Sequence, residues 1–112
     1  MIPKGNSSNY PPFLKLPNQL ENKTGEIEIG DKVQIETEFA PPENPKLKSP
    51  FIGNVSLTNT DVRTLGLNWS SYYAISKAYG LDTADWVGKF IIYNGLKKTG
   101  KGAFGHLWTA EI

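Results

Sequence analysis

The chain has 112 residues, enough for one domain with its own core. It holds no cysteine, which excludes a disulfide scaffold and thiolate metal sites. The net charge is +1, so any attraction for a polyanion has to come from local clustering and not from the field of the whole molecule.

No apolar run approaches the ~20 residues of a membrane-spanning helix. The opening MIPKGNSSNYPPF lacks the apolar centre of a signal peptide. These features read as an intracellular protein, with no membrane contact expected. Aromatic residues make up 12% of the chain, more than a small core needs, so some rings are expected on a surface.

Residues 1–24 carry Pro3, Pro11, Pro12 and Pro17 among Asn and Ser, a composition expected to give a flexible N-terminal arm. Phe13, Leu14, Leu16 and Leu20 are the side chains able to pin its second half to the body. The body is expected over 25–112. In EIEIGDKVQIETEF, Ile27 and Ile29 share one face. After Gly30, a bend or bulge, Val33, Ile35, Thr37 and Phe39 share another. Residues 40–50 hold four prolines and form a loop that bears Lys46 and Lys48. Phe51–Thr58 and Val62–Leu67 flank the polar Asn59-Thr60-Asp61 and are expected to pair as a hairpin.

Asn68 is a suitable N-cap, and Tyr72, Ile75 and Tyr79 form one helical stripe that ends at Gly80. The adjacent Tyr72 and Tyr73 point about 100° apart, so one is expected inside and the other partly outside. Trp69 opens the helix near the rim. Asp82 to Trp86 fits a single capped turn with Trp86 as a core anchor, the two carboxylates serving as cap and dipole partner. KFIIY (89–93), a loop NGLKKTGKG (94–102) and AFGHLWTAEI (103–112) complete the chain. The string is β-β-β-α-β-β, mainly β with one helix. That is the order of a five-stranded OB-fold-like barrel, with another small α+β barrel or roll as the alternative.

The segment LGLNWSSYYAISKAYGLDTADWVGKFIIY resembles a family of small phage and prokaryotic proteins. Their common core is a strand ending in Leu-Asn, a helix, then Gly-Asp-Asp-Thr-Asp-Asp-Trp-Ile-Gly-Lys and a strand ending in Tyr. The matching residues are Leu67, Asn68, Ala74, Tyr79, Gly80, Asp82, Thr83, Asp85, Trp86, Gly88, Lys89 and Tyr93. Gly100, Lys101 and Leu107 resemble the family's closing hairpin more weakly. The resemblance covers the C-terminal half and implies a phage or mobile-element setting, often beside DNA replication or recombination.

Over residues 87–112, Lys89, Lys97, Lys98 and Lys101 stand against Glu111 alone. Lys97, Lys98 and Lys101 fall in the loop before the last strand, and Lys46 and Lys48 in the loop after the first. In OB-folds those two loops bind oligonucleotides. Phe104, His106 and Trp108 alternate along the last strand. Facing out, they would stack bases, with Tyr93 as a further ring. Facing in, they would fill the core, and alternation alone does not choose.

His106 is the only histidine, so no histidine metal cluster and no cofactor are expected. No G-x-S-x-G elbow or phosphate loop occurs, and no enzyme is expected. The expected function is non-enzymatic binding of single-stranded DNA or RNA with little sequence preference. The loop lysines would meet phosphates and the last-strand rings would meet bases. The alternative is a protein-interaction accessory module that docks a partner or a second copy. Sugar stacking on the rings is a third, weaker reading.

Overall fold

The structure is a computed structural model that describes residues 11–43, 49–58, 60–98 and 102–111. Five strands and one helix follow the expected order: β1 Lys32–Ile35, β2 Phe51–Ser56, β3 Val62–Leu67, α1 Trp69–Tyr79, a 3₁₀ turn Thr83–Trp86, β4 Phe90–Lys98 and β5 Phe104–Ala110. They form one antiparallel sheet in the order β3-β2-β1-β4-β5. Among the described residues no ladder joins β3 to β5, so the sheet is open.

Local sequence explains most of this. Val33 and Ile35 point into the core from β1, while Lys32 faces solvent. The alternation does not extend back through Gly30. A turn intervenes in which Asp31 N donates to Glu28 O and Glu28 N to Asp31 Oδ2, so Ile27 is buried and Ile29 faces out. The β2–β3 hairpin pairs Phe51 with Leu67 through to Ser56 with Val62, as the flanking runs predict. Asn68 caps α1 by accepting from Ser71 N at 2.9 Å, and Gly80 closes it with a bond to Ser76 O at 2.9 Å. Asp82 caps the 3₁₀ turn by accepting from Ala84 N at 3.0 Å, and Trp86 is sealed in the core.

β4 departs from expectation. It continues past Tyr93 to Lys98, because a register shift between Tyr93 and Leu96 lets the strand restart. Gly95 sits there at φ 85°, a backbone region that a side chain disfavours. Lys97 and Lys98 therefore lie on a strand, opposite Gly105 and Phe104, and not in a loop.

The second half of the arm is pinned to the body, as its apolar side chains allow. From Pro11 onward it is packed on the body and not free. Leu14 N donates to Thr64 O at 2.9 Å, Thr64 N to Pro12 O at 2.9 Å and Thr64 Oγ1 to Pro11 O at 2.8 Å. Proline has no N–H but keeps its carbonyl, and a carbonyl is what the edge of β3 takes. Leu14 enters the core and Leu16 packs against it, whereas Phe13 and Leu20 face solvent. Gly25 makes this approach possible, since a Cβ there would lie 2.4 Å from Lys15 O. Glu26 ties the arm to β3. Burial alone would raise its pKa, but bonds from Lys15 N and Arg63, with the Arg63 charge, hold it below the usual carboxylate value. Residues 1–10 lie outside the described residues.

Side chains reinforce or replace main-chain partners at the strand ends. Tyr79 Oη accepts from Glu111 N at 3.0 Å and donates to Phe90 O at 2.7 Å. Thr83 Oγ1 accepts from Phe39 N at 3.0 Å and donates to Phe39 O at 2.6 Å. Ser71, fully buried on α1, donates to His106 O at 3.1 Å and accepts from Trp108 N at 2.9 Å, which fastens the helix to β5. Asn68 Nδ2 also donates to His106 O, so Ser71→Ala strands only the Trp108 amide. A buried unpaired donor costs about 1–3 kcal/mol. Ser71→Ala is expected to lower the unfolding free energy by that amount, read as a lower urea midpoint with the slope unchanged.

Candidate nucleic-acid interface

The aromatic row on β5 turns inward. Trp108 is fully buried, and its ring lies 5.1 Å from that of Tyr93, which is fully buried as well. His106 is half-buried, and Phe104 alone is largely exposed, at 54%. The expectation that Tyr93, His106 and Trp108 form an outer stacking face is therefore corrected. The reason is register: Tyr93 pairs directly with Trp108, and residues directly opposite on antiparallel strands share a face. Tyr93 follows Ile91 by two residues, and both are core residues, so Trp108 goes inside with them. The indole Nε1 of Trp108 is buried with no hydrogen-bond partner among the described residues.

His106 Nδ1 lies 2.6 Å from Tyr93 Oη, which also reaches Pro17 O at 3.3 Å. Burial pushes the tyrosine pKa up and the histidine pKa down, so both groups are neutral near pH 7. The pair is a buried polar link between β4, β5 and the arm.

Two lysines fare differently from the rings. Lys97 and Lys98 are exposed at the end of β4 and form no ion pair among the described residues. Lys98 sits opposite Phe104, so a cation and an exposed ring share the hairpin tip. A depression of about 180 Å³ beside this tip is lined by Lys97, Lys98, His106, Ser70 and Leu107. It brings the tip next to the start of α1. Lys46, Lys48 and Lys101, also expected to meet phosphates, lie outside the described residues.

The main exposed aromatic surface is on α1, and sequence reading placed no function there. Trp69 is 54% exposed and Tyr73 is 55% exposed, with ring centroids 5.8 Å apart. The spacing i, i+4, i+8 adds Lys77, exposed on the same side of the helix. The platform is rooted in the core. Phe51 meets the Trp69 ring edge-on at 4.9 Å and stacks on Tyr72 at 4.5 Å, and Tyr72 packs 5.6 Å from Trp86. The available signal was that Trp69, Tyr73 and Lys77 form a second helical stripe, outside the apolar stripe of Tyr72, Ile75 and Tyr79.

Among the described residues no helix is long and apolar enough to cross a membrane. No family model, curated protein or solved structure matches the chain.

Proposed function

We propose that the protein is a non-enzymatic domain that binds single-stranded nucleic acid with little sequence preference, on an OB-fold-like scaffold. The strand order β3-β2-β1-β4-β5, with the helix between the third and fourth strands, supports that scaffold. The resemblance of residues 65–93 to a family of small phage and prokaryotic proteins, often beside DNA replication or recombination functions, favours nucleic-acid binding. The observation that carries the proposal is the exposed stripe Trp69, Tyr73 and Lys77 on a helix whose start, Asn68 and Ser70, lines one depression with Lys97 and Lys98, lysines that form no ion pair among the described residues. Rings that lie open on a rigid element accept any base, because every base has a π-face, and nearby amines neutralise phosphates.

Fluorescence anisotropy with a labelled oligo-dT tests the proposal. Micromolar-range binding that weakens steeply with added salt is the expected result. No binding at about 50 mM salt and tens of micromolar protein would end the proposal.

A second reading, a protein-interaction accessory module, draws on the net charge of +1 and on the exposed apolar Phe13, Leu20, Trp69 and Tyr73. Exposed tryptophan and tyrosine also anchor protein interfaces. Concentration-dependent mass in light scattering that Trp69→Ala abolishes, without oligonucleotide binding, would select it.

A further inference from the structure

β1 is shorter than the strand it supports. Gly30 N donates to Tyr93 O at 2.7 Å and Tyr93 N to Asp31 O at 2.9 Å, and there the main-chain support of β4 on that side ends. Beyond the bulge, Leu96 takes its partners from a side chain. Leu96 N donates to Gln19 Oε1 at 2.9 Å, and Gln19 Nε2 donates to Leu96 O at 3.2 Å. One carboxamide thus satisfies both main-chain groups of a strand residue, as a neighbouring strand would.

The surroundings are shaped to admit it. A Cβ at Gly95 would lie 2.7 Å from Gln19 Oε1. Gln19 is held by a closed turn in which Asn18 N donates to Lys23 O and Lys23 N donates to Asn18 O. Asn18 Oδ1 also accepts from Leu20 N and Glu21 N. The next two residues after Leu96 are Lys97 and Lys98.

We infer that Gln19 is a positioning residue for the lysine-bearing tip. It extends the ladder of β4 beyond β1 and so fixes where Lys97 and Lys98 stand when a phosphate chain arrives. The docked arm is on this account part of the binding site. The inference rests on the nucleic-acid reading above. Without Gln19 both Leu96 groups need another partner, the tip frays into water, and binding has to order it again.

The test compares wild type, Gln19→Met, Lys97→Ala/Lys98→Ala and the combined variant by oligo-dT anisotropy, with hydrogen exchange of the Leu96–Lys98 amides. Methionine keeps the unbranched stem and removes both bonds. Gln19→Met is expected to weaken binding about five-fold, one net hydrogen bond's worth. It is expected to change nothing further in the double-lysine background and to speed exchange at the tip. Two results overturn the inference: Gln19→Met binding like wild type while the lysine variant is weakened, or the same loss from Gln19→Met in both backgrounds. Wild type that binds no oligonucleotide removes the functional reading instead. Exchange then decides the structural part, with unchanged Leu96 protection in Gln19→Met refuting the pin.

Discussion

Trp86→Ala is expected to destabilise the protein by about 3–5 kcal/mol, the range for removing a large buried ring. Domains of this size have roughly 5–15 kcal/mol in total, so the variant will sit near the threshold of folding. The size of the effect follows from position. The ring is fully buried between Phe39, at 6.1 Å, and Tyr72, at 5.6 Å, and its Nε1 donates to Gly80 O at 2.8 Å. It therefore joins the 3₁₀ turn, the end of α1 and the segment after β1.

Trp108 is equally buried, but its Nε1 has no partner among the described residues. Phenylalanine at Trp86 loses volume and a hydrogen bond. At Trp108 it loses volume but relieves an unsatisfied donor. Trp86→Phe is thus expected to cost more than Trp108→Phe, read as urea midpoints by circular dichroism. Equal costs would show that the indole bond to Gly80 contributes nothing net.

What could be read from sequence was local. The hairpin of β2 and β3, the Asn68 cap, the Gly80 stop and the capped Trp86 turn each depend on residues a few positions apart. What could not be read depended on register or on distant partners. The inward turn of His106 and Trp108 was fixed only by the pairing of Trp108 with Tyr93. The bulge at Asn94–Gly95 set that pairing, and glycine in a run of polar residues looked like an ordinary loop. The arm was legible in part, since Leu14 and Leu16 pin its second half as its apolar residues allowed. Its proline content argued for mobility, but its anchors are Thr64 and Leu96, and Leu96 lies 77 positions from Gln19. A short apolar segment in a polar stretch gives no sign of which strand edge will receive it. The helix platform was half legible. A single exposed tyrosine was expected, but that Trp69 and Tyr73 stand together emerges only when the second helical stripe is followed as well as the first.

Trp69→Ala is expected to weaken oligonucleotide binding by about 1–3 kcal/mol, roughly 5–150-fold, the usual worth of one base stacked on an aromatic ring. Its effect on folding is expected to be small, because the ring is more than half exposed and Phe51 still packs on Tyr72 without it. The chain offers a direct optical check. It has three tryptophans, two of them sealed in the core, so a base that stacks on the surface can quench only Trp69. Oligo-dT is expected to quench part of the emission in wild type and none in Trp69→Phe. Lys97→Ala/Lys98→Ala should act differently. It should lower affinity at low salt and flatten the salt dependence by about 1.4 log units per log unit of salt, two phosphates at ~0.7 each on a single strand. A ring contact does not carry that salt dependence, so Trp69→Ala should leave the slope close to that of wild type. The two losses together separate a strand lying across helix and hairpin tip from simple attraction to lysine. Wild-type affinity in Trp69→Ala and no quenching by oligo-dT in wild type, with all binding lost in the lysine variant, would place the contact on the hairpin alone and leave the helix platform to the protein-interaction reading.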